Sequence, residues 1–284
     1  MRPLNRVLFF LLLSIFAFTA CNIANLKPDI DKDEGFIIDC IATGGGDSFL
    51  LMQGGKTILI DTGFEKSYKE IKATLENYQI EKLDYLILTH NHKDHIGGAS
   101  TLLSRYGADH VLMVKEESDT KLYFDLLFSL NKYTKKVSYP ESGDTLKVAD
   151  LSITFLNPQK TRLLDENNDS LVFKIKYKNQ AYLFLGDLEK TGEKVLLETD
   201  VDLKSDWVKI GNHGQDDTTS SKFIKAVAPS YAVISTKSKR SSDEAQEKLA
   251  MLMIETTVVL KNTHAVFITK DDKITQQSYG RLVK

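Results

Sequence analysis

This 284-residue chain has few cysteines and prolines and no excess of basic residues. It contains two cysteines, five prolines, and 37 lysines and arginines against 39 acids. Two thiols, Cys21 and Cys40, cannot build a disulfide framework. So few prolines beside 42% hydrophobic residues argue against disorder, and the length allows one large domain or two small ones around a substantial core. A formal charge of −2 argues against the broadly basic surface of a nucleic-acid binder. The apolar run Val7 to Phe18 falls short of the roughly 20 residues that span a membrane as a helix, and there is no internal repeat or low-complexity tract.

The N-terminus has a distinct organisation. Arg2 and Arg6 precede that apolar run, which ends in Phe18-Thr19-Ala20-Cys21. The segment resembles a bacterial lipoprotein signal, which implies removal of residues 1–20, lipid on Cys21, and an exported domain anchored to the cell envelope. A simple secretory signal and an uncleaved anchor are the alternatives. Loss of Arg2 and Arg6 with no acid leaves 35 basic against 39 acidic residues, a formal charge of −4. With Cys21 lipidated, Cys40 has no partner; it lies in the apolar run Phe36 to Ile41 and reads as a buried strand thiol. Residues 21–34 are polar and read as a tether, and 35–284 as the folded domain.

Strand-like segments recur through that domain: Gly35–Ile41, Phe49–Met52, Thr57–Ile60, Leu83–Thr89, His110–Val114, Leu151–Phe155, Leu171–Tyr177, Ala181–Leu185, Trp207–Ile210, Ser230–Ser235, Thr257–Leu260 and Ala265–Ile268. Helical patterns alternate with them. Phe64, Tyr68, Ile71, Leu75 and Tyr78 share one helix face, with weaker patterns over Ala99–Arg105, Glu116–Leu130, Glu189–Glu198, Thr219–Val227 and Ser242–Ile254. The expectation is an α+β fold of stacked sheets covered by helices.

The chemistry is concentrated at one strand end. In LDYLILTHNHKDHIGG a run of strand formers stops at His90, His92, Asp94 and His95, four ligand-type residues in six positions. Imidazoles and carboxylates suit zinc and similar divalent ions, and one turn cannot aim all four at a single tetrahedral ion. Two neighbouring ions, zinc or alternatively manganese, are the natural reading.

These residues resemble the metallo-β-lactamase-fold hydrolases, a family whose fold is a four-layer αββα sandwich with a two-metal site at the sheet edges. The resemblance assigns His90 and His92 to the first metal, Asp94 and His95 to the second, Asp187 of Gly186-Asp187 to the bridge, and His213 to the last ligand. Asp61 of Asp61-Thr62-Gly63 is then an orienting residue behind the ligands. The order of GGGDSFLL, DTGF, NNDSLVF, LFLGDLE and IGNHG further resembles the ComEC-type branch, which includes DNA-uptake proteins and phosphorylcholine esterases.

Departures from that pattern are informative. The branch usually carries two adjacent histidines where this chain has Asn212-His213; Asn212 then handles substrate as a hydrogen-bond donor that cannot titrate. Asp169 stands close to where a third ligand of the first metal would lie, with a turn or strand-entry role as its alternative. No histidine follows in Ser235-Thr236-Lys237-Ser238, and the opening DCIATGGGD is longer between its two aspartates than the usual form. His110, at the start of a strand, and His264, in an expected turn, read as packed or surface residues.

The implied reaction is hydrolysis of a small-molecule or polymer ester by a metal-activated water, with Asp94 and Asn212 as catalytic residues. A phosphodiester or other phosphoester of nucleic-acid or choline-phosphate type leads. The alternatives are acyl hydrolysis of a β-lactam or lactone, and a non-catalytic binding protein on the same fold. Charge does not favour nucleic acid, although Lys237, Lys239 and Arg240 offer a local basic lip. Nothing in the chain points to a protein partner.

Overall fold

The computed structural model describes residues 35–280 and 282. The signal, the tether and Cys21 lie outside the described residues. Among the described residues no helix is long and apolar enough to cross a membrane.

Six strands come first: β1 (Phe36–Cys40), β2 (Phe49–Gln53), β3 (Lys56–Ile60), β4 (Leu83–Leu88), β5 (Ala108–Met113) and β6 (Thr134–Ser138). The next seven form a second sheet: β7 (Thr145–Val148), β8 (Leu151–Asn157), β9 (Val172–Tyr177), β10 (Gln180–Phe184), β11 (Trp207–Lys209), β12 (Tyr231–Ser235) and β13 (Glu255–Val259). Then β14 (Thr263–Lys270) and β15 (Lys273–Gly280) return to the first sheet, whose order is β15-β14-β1-β2-β3-β4-β5-β6.

Period-2 alternation sorts the side chains into layers. Phe36, Ile38 and Cys40 of β1 face Phe173, Tyr182, Phe184 and Trp207 of the other sheet, forming the inter-sheet core. Ile37 and Leu50 turn the other way, onto Ile71 and Leu75 of helix Tyr68–Asn77 and Leu102 and Leu103 of helix Ala99–Tyr106. Leu183, Val208 and Ile234 pack outward against Leu196, Phe223 and Leu249 of three further helices. Three apolar layers between four of secondary structure make the expected αββα sandwich. Cys40 is buried as expected, and burial pushes its thiol well above the ordinary range.

β6, β7 and β15 were not legible as strands. The first two close an edge of each sheet and β15 closes the other edge of the first. Their sequences TKKVS, TLKV and KITQQSYG carry the lysines and polar residues that edge strands tolerate.

The parallel pairs matter most for function. β3, β4 and β5 run parallel in one sheet, and β10, β11 and β12 in the other. Asp61, His90, Asp187 and the Gly211–Gly214 turn each follow the C-terminal end of one of these strands, where open α/β sheets place their ligand crevices.

His264 corrects an expectation. It lies inside β14 rather than in a turn, is fully buried, and bonds through Nδ1 to Asp39 Oδ1 (3.1 Å) and through Nε2 to Glu70 Oε1 (2.9 Å). Tyr279 stacks on the ring, so the imidazole clips β1, β14, β15 and helix Tyr68–Asn77 together. Burial opposes its charge, but the hydrogen bonds to Asp39 and Glu70 raise its pKa to about 9. A histidine held above its ordinary value near 6.5 stabilises the fold fully below that pH and loses the contribution as pH rises through about 9. Denaturation of the parent and His264→Gln should therefore show a stability gap that narrows by up to about 3 kcal/mol on going from slightly acidic to strongly alkaline buffer. A gap independent of pH would refute the charged imidazole.

Candidate metal centre

The centre is assembled by close backbone contacts. β4 ends at Leu88, and a short helix, Lys93–Ile96, carries Asp94 and His95. Gly97 lets the Asp61-Thr62-Gly63 turn and the residues after it press against that helix: a Cβ there would meet Glu65 N at 2.6 Å and Gly63 O at 2.8 Å. Gly46 does the same for the β1–β2 loop, where a Cβ would meet Asp94 O at 2.3 Å. This close approach carries Asp47 into the cluster.

Hydrogen bonds on the outer nitrogens fix the inward face of each imidazole. Thr89 Oγ1 donates to Asp61 Oδ2 (2.7 Å) and lies 3.2 Å from His90 Nδ1, leaving His90 Nε2 to face inward. His92 Nε2 meets Glu166 Oε2 at 2.8 Å, so its Nδ1 faces inward. His95 Nδ1 donates to Asp61 Oδ2 at 2.8 Å, and His213 Nδ1 to Ser235 O at 2.9 Å. Asp61 also accepts from Thr89 N at 2.8 Å, so its buried carboxylate is occupied in holding His95 and Thr89, an orienting arrangement.

The inward atoms converge on Asp187. Its Oδ2 lies 3.1 Å from His95 Nε2, 3.3 Å from His213 Nε2 and 3.8 Å from His90 Nε2. Asp94 Oδ2 lies 3.5 Å from His213 Nε2. Four groups among the described residues bring ligand atoms within 4.8 Å of one another; His90/His92/Asp187 and Asp94/His95/His213 share no residue and match the two expected ion positions, and the other two, Asp47/Asp187/His213 and Asp47/Asp61/His95, add Asp47. His90 Nε2 and His92 Nδ1 face each other at 3.0 Å with both outer nitrogens engaged, an opposition of lone pairs that a cation relieves. His213 Nε2 is buried without a hydrogen-bond partner. The residues thus fit a pair of divalent ions.

Electrostatics agree. Burial opposes ionisation of Asp187, yet His213, His95 and Lys209 hold its carboxyl well below the usual range. Burial likewise works against charge on His95, but Asp187 and Asp61 raise it to about 10. Burial, then His95 nearby, pushes His90 well below its ordinary value.

Two members were not foreseen. Lys209 is 1% exposed, donates to Gly186 O at 2.6 Å and pairs with Asp47, itself 1% exposed. The signal for Lys209 was a lysine inside the otherwise apolar strand Trp207-Val208-Lys209-Ile210; for Asp47 it was the aspartate closing GGGD. Two expectations need correction or restatement. Asp169 takes the turn role that was its alternative: its carboxylate accepts from Leu163 N (3.0 Å) and Leu164 N (2.9 Å), closing a loop, and Glu166 from the same loop is the residue that reaches His92. Asn212 lies beside His213 but donates to Glu189 Oε1 (3.0 Å) and Asp217 Oδ1 (3.3 Å), with its Oδ1 accepting from Gln215. Its catalytic role stays an expectation; the amide is held by that neighbouring network. His110 stacks on Tyr85 at 4.9 Å between ring centres, away from the ligands as expected.

Residues 41–238 match the metallo-beta-lactamase superfamily, and the chain belongs to it. Its fold and ligand groups are those expected of a metal-dependent hydrolase. It is similar to ComE operon protein 3 of Bacillus subtilis, 31% identical over 79% of this chain and 31% of that protein. Recombination protein 2 of Haemophilus influenzae is 27% identical over 70% of this chain and 24% of its own length. The chain thus spans about a third or less of these relatives. In three dimensions it is similar to the metallo-beta-lactamase fold protein YhfI of Bacillus subtilis, with TM-score 0.54, 13% identity, and coverage of 86% of this chain and 100% of that one. That likeness shows the fold.

The orienting role of Asp61 is open to measurement. Removing a carboxylate behind a metal-binding imidazole typically weakens affinity about 10- to 100-fold. Chelator competition should show that loss in Asp61→Ala, while the parent binds up to two zinc ions by elemental analysis and His92→Ala/His95→Ala binds fewer. A parent that takes up no transition metal would remove the centre altogether.

Proposed function

We propose that this protein is a phosphoester hydrolase, and that its substrate carries a cationic or apolar organic arm, as in choline phosphoesters. The convergence of three imidazoles on Asp187 Oδ2, with a fourth, His92, facing His90, carries the reading. A pair of divalent ions, zinc by the nitrogen-rich donor set and manganese as the alternative, supplies an acidified water and a charge acceptor for a phosphoryl oxygen when bound. The chain does the rest. Asp187 presents one oxygen between the two halves of the site. Asp94, 25% exposed, faces solvent enough to orient the attacking water or take its proton.

The flanks support the substrate class. Beside His92 and Asp94 a hollow of about 400 Å³ is lined by Asn91, Ser118, Leu122 and Glu166. Through Ser118 and Glu166 it adjoins a second, of about 700 Å³, walled by Tyr123, Phe124 and Leu127 with Glu117 and Asp119. Lys93 is the single cation among the lining residues. Carboxylates beside aromatic faces suit an alkylammonium group and repel a polyanion. Lys237 abuts Gly45 and Arg240 lines a separate hollow with Asp216 and Asp217; with Lys239 they support nucleic acid as the second reading.

Purified protein with zinc or manganese should hydrolyse choline phosphodiesters faster than DNA, and β-lactams not at all. Asp187→Asn should remain folded by circular dichroism and lose at least about 10²- to 10³-fold in rate, the scale of one preorganised electrostatic contact. Parent-level turnover by that variant would refute the mechanism. DNA as the faster substrate would favour the second reading.

The domain works outside the cytoplasmic membrane, tethered through lipid on Cys21; the FTAC segment supports this. A single acyl chain binds membranes weakly and several hold firmly. Cys21→Ser should release the protein from membranes or block its processing. Unchanged fractionation, with no lipid label on the parent, would refute the anchor.

A further inference from the structure

Lys209 ends β11 with its side chain buried among anions. Its Nζ donates to Gly186 O at 2.6 Å, lies 3.4 Å from Asp187 Oδ1, and makes a still closer ion pair with Asp47 Oδ2. Oxygens from three residues around one cation are the donor set of a hard metal ion such as calcium or magnesium. Asp47 Oδ1 is buried with no hydrogen-bond partner. Asp47, Asp187 and His213 also bring ligand atoms within 4.8 Å of one another, as the two groups assigned to metals do.

We propose that the ammonium of Lys209 is a resident third cation of the centre. It fills an oxygen-lined position between Asp47 and Asp187 that a divalent ion would otherwise take. By engaging Asp187 Oδ1, it leaves Oδ2 alone to be shared by His90, His95 and His213. Lys209 is thus a positioning residue, acting through the bridging carboxylate.

An ordinary structural salt bridge predicts something different. A buried ion pair of that kind can be replaced by uncharged groups at little net cost, and removal of one partner is not remedied by an added ion. A resident cation can be replaced by another cation.

The inference deepens the two-ion reading, but its test reads stability and cation uptake rather than hydrolysis. The full chain, loaded with zinc to saturate the imidazoles, is melted with and without calcium or magnesium at constant ionic strength. The parent, Lys209→Ala and Lys209→Ala/Asp47→Asn are compared. Lys209→Ala should melt lower than the parent and recover by about 3 °C or more with either ion, with roughly one extra ion per chain in elemental analysis. The parent and the double variant should not respond. Indifference of Lys209→Ala to both ions, whether folded or unfolded, overturns the proposal, and so does an equal response in the double variant. Failure of the parent to take up zinc would count against the two-ion reading and leave the comparison among the three proteins intact.

Discussion

Four buried or half-buried carboxylates, Asp47, Asp61, Asp94 and Asp187, meet at the end of two sheets, and the local structure depends on how that negative charge is balanced. Isolated charges in such a place are costly. Among the described residues of the cluster only Lys209 brings a permanent positive charge; the imidazoles contribute charge by protonation, or lone pairs by losing protons. The raised affinity of His95 and His213 for protons and the lowered one of Asp187 express the same demand. A site that draws protons this strongly binds metal in competition with them.

The demand can be met in place because each ligand is held from behind. Asp61, Thr89, Glu166 and Ser235 engage the outer nitrogens of His95, His90, His92 and His213. Three of these partners come from loops or strand ends fixed by the core, so the orientation of the rings is inherited from packing. Glu166 differs: it is 38% exposed, its partner His92 is 44% exposed, and its loop also lines the adjoining hollow. The hollow proposed for substrate and the hold on the first imidazole pair thus share a residue.

Much of this was legible in the sequence because its signals are local. His90, His92, Asp94 and His95 lie within six positions, and the strands that carry them are apolar on both faces because helices cover one and the second sheet the other. What escaped was long-range or solvent-facing. Edge strands β6, β7 and β15 carry polar residues that match no burial pattern. Lys209 and Asp47 are distant in sequence and become partners only when β11 and the β1–β2 loop meet. Asp169 stays open in the sequence between ligand and turn, because an acid at the right position along the chain can still be turned to its own loop. His264 gives no sign of its strand in the sequence, because a charged pair buried inside a strand has no periodic signature.

The backbone shows where this arrangement is expensive. Asp61, Asn212 and His213 all adopt positive φ, at 54°, 36° and 54°. For residues with a side chain, such conformations cost on the order of 1–3 kcal/mol each and persist only where the surroundings over-determine them. Here the surroundings do so: Asp61 N is bonded to Ile87 O, Asn212 is bound by Glu189 and Asp217, and His213 is caught by Ser235. The turn Gly211–Gly214 therefore has two constraints, a network outside the centre that grips Asn212 and a ligand position inside it that takes His213. An amide at 212 satisfies the outer network by donating to two carboxylates, which an ionised acid there could not do. Asparagine beside the last ligand thus has a structural role in this chain, independent of any contact with substrate.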